Sequence, residues 1–281
     1  MPVYDTPAPI DLAISLPVGA IDVFASDRTD TVVTVAPSNP SRAVDRRGAE
    51  ETVVAFDGQR LTVTGPKPRF SFIGPTESVD VTVELPTGSR LTAESSVGGV
   101  RTTGRLGATR IKASMGPVDL DGTGDLWLRA GHGNATLRSA EGRVEITADH
   151  GQIHIGTVAD DAALKASHGS IRIDRSGGDV DAKLSYGDLD ITTALASVSA
   201  KTAFGSIQLR EVSSGSIQVE SGFGQITIGV LPGTPAWLDI ASKDGHVRND
   251  LSGDSAPDES EQTVAVRART QFGNITIERA R

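Results

Sequence analysis

Aliphatic residues alternate with polar or small residues along most of this chain, in runs too short for long helices. Residues 10–16, for example, read Ile-Asp-Leu-Ala-Ile-Ser-Leu, and this period of two is typical of a half-buried strand. Glycine interrupts the runs at regular places. Because glycine is costly inside a helix and tolerated at a turn, the pattern predicts short strands joined by glycine turns.

The repeating unit is a glycine followed by two aliphatic residues at alternate positions, as in His-Gly-Ser-Ile-Arg-Ile and Phe-Gly-Ser-Ile-Gln-Leu. The glycines of successive units lie 17 to 19 residues apart: Gly98, Gly116, Gly133, Gly151, Gly169, Gly187, Gly205 and Gly224. Two strands per period of about 18 residues predict an all-β parallel β-solenoid, a β-helix or β-roll whose coils stack at about 4.8 Å. An antiparallel meander or sandwich has the same strand content but needs no fixed period, so the spacing favours the solenoid.

The alternation also predicts which side chains face the core. Leu164, Ala166 and His168 share one parity before their glycine, and Ile171 and Ile173 share the other parity after it. We expect all five to point inward, with a bend at the glycine.

The pattern is less regular at the two ends of the chain. We expect residues 1–90 to form an irregular β cap with a hairpin and a first coil, and residues 91–281 to form the repeats of one continuous domain. Asp57-Gly58 is the hairpin signal. Segments 37–51 and 65–78 are rich in proline, glycine and charge, which predicts loops.

Near the C-terminus the spacing of the repeat glycines rises to 21 and then 28 residues. We interpret the longer spacings as loops inserted between coils that stack one on the next. The acidic stretch 249–262 is the longer insertion and is predicted to be exposed and mobile.

The glycine repeat resembles that of the bacterial β-strand-repeat family called "putative adhesin", a domain of unknown function. Two stretches are similar to the way members of that family begin: Leu-Pro-Val-Gly-Ala-Ile-Asp-Val at 16–23 and Val-Asp-Val-Thr-Val-Glu-Leu-Pro-Thr-Gly at 79–88. The resemblance extends from about residue 10 to residue 277. It implies the solenoid architecture and brings no catalytic signature.

Charge and composition narrow the class of protein. The net charge is −9, which disfavours nucleic acid as a partner, and the chain has no cysteine, which excludes disulfides, thiolate nucleophiles and thiolate metal sites. Residues 1–9 carry no basic and apolar signal pattern, and no run approaches eighteen apolar residues. We therefore expect a cytoplasmic protein that does not insert into membranes.

One position, directly before the repeat glycine, carries bulky or flat side chains in most coils. These residues form the predicted structural ladder: Met115, His132, His150, His168, Tyr186, Phe204, Phe223 and Phe272. Three stacked histidines are a possible metal site, but no carboxylate recurs beside them, so we expect stacking and no metal. The Gly-Gly-x-Gly-x-Asp turns of calcium-binding β-rolls are approached once, at 177–181, and no cofactor is predicted.

The outward face of the strand before the glycine is the candidate binding surface. Cations recur there in one register, and an indole lies beside one of them: Lys112, Trp127, Arg129, Lys165, Lys183 and Lys201. On a stack of coils these residues predict a basic stripe that suits a linear polyanion or an acidic protein. The alternative interpretation is a solvated row that protects the sheet from aggregation.

These patterns favour a non-enzymatic scaffold or binding module, monomeric, that presents flat strand ladders to a protein or an anionic polymer. Its serines form no nucleophile elbow, and its glycine-rich pieces lack the lysine of a phosphate loop. One alternative is a self-assembling structural protein similar to bactofilins. A carbohydrate-active enzyme is the third class, since parallel β-helices host such enzymes, but no pair of acids stands out.

Overall fold

The protein is an all-β parallel β-solenoid, described by a computed structural model over residues 2–66, 77–251 and 263–280. This confirms the predicted fold class. The chain divides into two compact units, Met1–Glu141 (unit 1) and Gly142–Arg281 (unit 2). The predicted division at residue 90 between a cap and the repeats stays a prediction.

In unit 1 the elements that the structure describes are short strands and one helix. They are β1 (Val3–Asp5), β2 (Asp11–Val18), β3 (Ile21–Ser26), β4 (Asp30–Pro37), α1 (Ala43–Glu51), β5 (Val53–Phe56), β6 (Arg60–Thr64), β7 (Val79–Pro86), β8 (Arg90–Val97), β9 (Val100–Thr103), β10 (Thr109–Met115), β11 (Val118–Thr123), β12 (Leu126–His132) and β13 (Ala135–Ala140).

In unit 2 the described elements are all strands. They are β14 (Val144–His150), β15 (Ile153–Val158), β16 (Ala162–His168), β17 (Ile171–Ser176), β18 (Val180–Tyr186), β19 (Leu189–Ala194), β20 (Val198–Phe204), β21 (Ile207–Val212), β22 (Gly215–Phe223), β23 (Ile226–Val230), β24 (Ala236–Asp244), β25 (Val247–Asn249), β26 (Val264–Phe272) and β27 (Ile275–Arg279).

Each coil contributes one strand to each of two sheets, and a glycine corner joins the two strands. In the coil formed by β16 and β17, Leu164 and Ala166 are buried from one sheet, and Ile171 and Ile173 are buried from the other. Neighbouring coils pair in parallel and in register, so that Ile171 lies between the isoleucine and leucine of the adjacent coils. The core is therefore a stack of aliphatic layers, as the alternation predicts.

The side chains directly before the glycines point outward, so their predicted inward direction is wrong. Tyr186 is 50% exposed and Phe204 is 43% exposed, and His168 is exposed as well. The strand pairing explains the change of side. Ala166 and His168 pair with residues of the adjacent strands, but Ser167 between them does not. This irregularity, together with the turn at the glycine, ends the alternation before the corner and leaves the ring outside the coil.

Coil order in unit 1 differs from chain order. One sheet has the order β1-β4-β7-β3-β9-β11-β13, and the other has the order β5-β6-β2-β8-β10-β12. The first coil, β2 and β3, is thus inserted between the coil of β6 and β7 and the coil of β8 and β9. Both β2 and β3 pair in parallel with neighbours on both sides.

The outer part of unit 1 contains antiparallel strands and a helix. The hairpin predicted at Asp57-Gly58 is confirmed, since β5 and β6 pair in antiparallel orientation around it. The loop predicted for segment 37–51 is wrong at its end, where α1 forms. Its alanine, arginine and glutamate residues favour a helix, and the buried carboxylate of Asp45 fixes it by accepting hydrogen bonds from Arg42 (3.3 Å) and from the Ser78 N–H (3.2 Å). Most of the loop predicted at 65–78 lies outside the described residues.

Unit 2 also departs from chain order at its last two coils. Its sheets have the orders β15-β17-β19-β21-β23-β27-β25 and β14-β16-β18-β20-β22-β26-β24. The expectation that coils stack in sequence is therefore wrong here, because β26 and β27 lie between the preceding coil and the coil of β24 and β25. The inserted strands are the more deeply buried ones: Val266 and Ala268 are fully buried, whereas Leu238 and Ile240 of β24 are half-buried. Most of the acidic loop predicted at 249–262 lies outside the described residues.

Candidate functional site

A cationic cluster surrounds an indole on the outward face of unit 1. Strands β10 and β12 pair so that Arg110 lies opposite Trp127 and Lys112 lies opposite Arg129. The Arg110 guanidinium carbon is 3.7 Å from the centroid of the Trp127 ring, which is a cation–π contact. Glu94 lies opposite Lys112 on the other side. These side chains line a depression of about 230 Å³ with three cations and one carboxylate.

Sequence reasoning missed Arg110, which belongs to this site. It lies two residues before Lys112, so it shares the outward face of the strand. Alignment of successive coils would have found it, because the same alignment that pairs Lys112 with Arg129 pairs Arg110 with Trp127.

The remaining predicted cations form a lysine row on the outward face of unit 2. Lys165, Lys183 and Lys201 are direct partners on the adjacent strands β16, β18 and β20, and all three are exposed. Two of them have carboxylate partners: Lys183 Nζ is 3.0 Å from Asp181, and Lys201 Nζ is 2.9 Å from Glu220. Among the described residues Lys165 has no ion-pair partner, so part of the positive charge of the row is left unpaired.

Beside the lysine row, the corner of unit 2 carries an aromatic ladder of parallel rings. The ring centroids of consecutive members are 4.7 to 5.1 Å apart, and the ring planes deviate by 2° to 8°. The members in stacking order are His150, His168, Tyr186, Phe204, Phe223 and Phe272. Each interior ring has both faces covered by its neighbours, and only its edge reaches solvent.

The remaining two members of the predicted ladder, Met115 and His132, lie in unit 1. They are partners on β10 and β12, and both are exposed. In unit 2 the imidazoles of His150 and His168 lie face to face, with centroids 4.8 Å apart. Over the described part of the chain, no three His, Asp or Glu side chains form a group that could hold a metal ion.

A groove of about 450 Å³ runs beside the lysine row at the start of the same strands. Its carboxylates link one turn to the next. The Asp161 side chain accepts a hydrogen bond from the Asp179 N–H (3.0 Å), and the Asp179 side chain accepts one from the Ser197 N–H (3.0 Å). These acids therefore satisfy backbone donors of the neighbouring coil.

Several solved structures are similar to this chain over nearly its whole length. One described as a putative adhesin from Bacteroides fragilis is 14% identical, covers 98% of this chain and 95% of its own, and has a TM-score of 0.42. Two others with the same description come from Parabacteroides distasonis (14%, 99% and 95%, TM-score 0.35) and Parabacteroides merdae (12%, 100% and 95%, TM-score 0.34). No curated protein matches the chain.

Within residues 2–66, 77–251 and 263–280, no helix combines the length and apolarity that crossing a membrane requires. The family comparison gives a match that spans residues 13–278 and therefore includes the strands and corners described above. That match is to a family named as a domain of unknown function, in agreement with the resemblance that the glycine repeat carries. The chain belongs to the Toastrack DUF4097 family.

Proposed function

We propose that this protein is a non-enzymatic binding module that holds an extended, anionic partner, a polymer or an acidic protein segment, along its outward rows. The observation that carries the proposal is the lysine row of unit 2, in which Lys165, Lys183 and Lys201 stand in direct register on adjacent strands. Neighbouring strands are about 4.8 Å apart, so the row repeats its charge at a short, constant interval.

Electrostatics favour an anionic partner at this row. Like charges directly opposite one another on neighbouring strands are destabilising. The carboxylates of Asp181 and Glu220 offset part of the repulsion, but both ion pairs are exposed, and exposed pairs contribute little. A linear partner with repeated anions would neutralise the row, and its binding would weaken as salt screens the attraction over about 8 Å at physiological ionic strength.

The aromatic ladder narrows the chemistry of that partner. Sugars usually bind aromatic residues through the flat face of the ring, and in the interior of this ladder those faces are occupied by neighbouring rings. The exposed ring edges, at Tyr186 and Phe204 for instance, offer an apolar strip beside the charges. A partner with apolar groups next to its anions therefore fits better than a neutral polysaccharide.

The test compares two variants that remove the same charge from different faces of unit 2. One variant changes Lys165, Lys183 and Lys201 to Gln. The control changes the exposed cations Arg172, Arg175 and Arg210 of the other sheet to Gln. Poly-glutamate and teichoic acid are titrated into each protein at low and high salt. Capture experiments with the same proteins look for partner proteins.

We expect the lysine variant to lose binding at least about tenfold while the arginine variant binds as the wild type does, with salt weakening the bound state. Equal binding by all three proteins would mean that the lysine row is a solvated face that does not bind the partner. Equal loss in both variants would mean that net charge, and not the row, attracts the polymer. The cytoplasmic location is part of the same proposal, and fractionation of the source cells tests it separately.

A further inference from the structure

The last coil of unit 2 ends in an open strand edge. Strand β24 pairs with β26 on one side only, and β25 pairs with β27 on one side only, among the residues that the structure describes. Pro235 directs its carbonyl to the N–H of Val264 in β26 (3.0 Å). By the alternation of a strand, Leu238 and Ile240 then direct their own N–H and C=O groups away from β26. Such a row of unpaired backbone groups is a template for another strand.

Several side chains at this edge are both apolar and exposed to solvent. Trp237 is 61% exposed and Val247 is 47% exposed. Leu238 and Ile240 face the core side but are only half-buried, since no further coil covers them among the described residues. The next coil inward shows the contrast, because Val266, the partner of Leu238, is completely buried.

In place of the monomer that the sequence patterns favour, we propose that this edge joins two copies of the chain, with β24 pairing antiparallel to β24 of the second copy about a two-fold axis through Ile240. The inference is independent of the binding role of the lysine row. Antiparallel pairing about such an axis keeps the core face of each strand on the core side. Ile240 then meets Ile240 of the second copy, and Leu238 meets Ser242.

The outward side chains complement one another in the same register. Trp237 falls opposite Lys243 of the second copy, twice by symmetry, which permits two cation–π contacts. Both side chains are exposed in the single chain. A shift of the axis by one residue toward the N-terminus would put Asp239 opposite Asp239, and a shift the other way would put Leu238 opposite Asp244. The self-complementary register is therefore the one centred on Ile240.

Two arginines prepare β24 for this pairing. Arg269 donates to the Asp239 carboxylate (2.5 Å) and to the Asp239 backbone carbonyl (2.7 Å), and Arg267 donates to the same carboxylate (3.1 Å). These bonds hold the strand against β26 and neutralise the one carboxylate in the middle of its outward face. The edge is consequently ordered before a partner arrives, which lowers the entropic cost of association.

A head-to-tail chain of copies is disfavoured by the terminal strands of unit 1. Growth in that direction needs a parallel edge that accepts β24. Strands β1 and β5 are three and four residues long, and both join their sheets in antiparallel orientation. The geometry thus points to a closed dimer and not to a filament of the kind that bactofilin-like assembly would give.

Light scattering on the full chain across a range of concentrations tests the oligomeric state. We expect a mass twice the 29.2 kDa of one chain at high concentration. Ile240→Lys would place two cations against each other on the axis and is expected to give a monomer with intact circular dichroism. A monomer at every concentration, or a dimer that survives this substitution in a folded protein, would overturn the proposal.

Because the chain has no cysteine, variants with a single introduced cysteine provide a second test, which does not depend on whether Ile240→Lys folds. Residues facing each other in a hydrogen-bonded antiparallel pair have Cα atoms about 5.5 Å apart, within the range of a disulfide. Ile240→Cys should therefore form a covalent dimer at least about tenfold faster than Ala241→Cys, whose copy lies beyond the disulfide limit of about 7 Å. Equal rates for the two variants would show that β24 does not pair in this register.

Discussion

The corner glycine Gly98 is a position at which one added carbon should cost several kcal/mol. Its φ is +139°, and a Cβ built on it would lie 1.9 Å from the carbonyl oxygen of Gly19 in the adjacent coil. Real Cβ atoms essentially never come within 3.0 Å of another heavy atom. Gly98→Ala must therefore push two coils apart by about 1 Å at a place where their spacing is fixed at about 4.8 Å.

The magnitude follows from what this displacement breaks. A side chain at such a φ costs about 1 to 3 kcal/mol. The hydrogen bonds from the Gly19 N–H to Val97 (2.9 Å) and from the Gly98 N–H to Met115 (2.8 Å) both lie at this corner. Each contributes about 1 kcal/mol. We expect Gly98→Ala to lower the free energy of unfolding by about 3 to 5 kcal/mol, a large part of the usual 5 to 15 kcal/mol.

The neighbouring glycine provides the control. Gly99 has no positive φ, and a Cβ there would meet Pro117 at 3.6 Å, an ordinary contact. Gly99→Ala should leave the stability unchanged or raise it by a few tenths of a kcal/mol. Urea unfolding followed by circular dichroism measures both variants. If Gly98→Ala and Gly99→Ala differ in their free energy of unfolding by less than about 0.5 kcal/mol, the close stacking of corner glycines does not hold the coils at their spacing.

Three further substitutions test the core, the aromatic ladder and the ion pairs of β24. Ile171→Asp, which buries an unpaired carboxylate at a position 1% exposed, should cost several kcal/mol in urea unfolding, whereas the exposed neighbour Arg172→Asp should cost under about 1 kcal/mol. His150→Phe continues the ring stack, so its melting temperature should equal or exceed that of the wild type. Zinc should raise the melting temperature of neither protein, and a zinc-induced rise that is present in the wild type and lost in the variant would contradict this. The hydrogen bond from Arg269 lowers the pKa of Asp239. The ionised carboxylate therefore stabilises the fold at a pH above the ordinary aspartate pKa of about 3.9, and this stabilisation is lost as the pH falls through the lowered pKa. The difference in melting temperature between the wild type and Asp239→Asn should accordingly disappear in acid.

The interior of each coil could be predicted from sequence because local rules fix it. Alternation places Ile171 and Ile173 inward, and the glycine period marks the corners. The order of the coils could not be predicted in the same way. All coils present similar aliphatic layers, so β26 is compatible with a place beside β22 or beyond β24, and a local pattern does not distinguish the two.

The exposed features depend on geometry that alternation does not describe. The rings before the glycines lie outside because the strand skips one residue in its pairing near the corner, as at His168. Arg110 belongs to the candidate site because β10 and β12 pair side by side, which brings it opposite Trp127. The helix α1 lies at the end of a segment whose prolines, glycine and charge predict a loop, and it forms because its own residues favour a helix and tertiary contacts hold Asp45.

The stacked coil separates what maintains the fold from what contacts a partner. Glycine corners and inward residues such as Leu164 and Ala182 set the spacing, while Lys165 and Lys183, one position further along each strand, face away from the core. Outward residues can therefore change from coil to coil with little effect on stability. A repeat recognised by its glycines and aliphatic layers consequently fixes the scaffold and leaves the chemistry of its rows open. Since each coil adds only one modest contact to an extended partner, binding should depend on several coils acting together. Single substitutions in the lysine row should then weaken binding only slightly, and the triple change is the one that can decide the function.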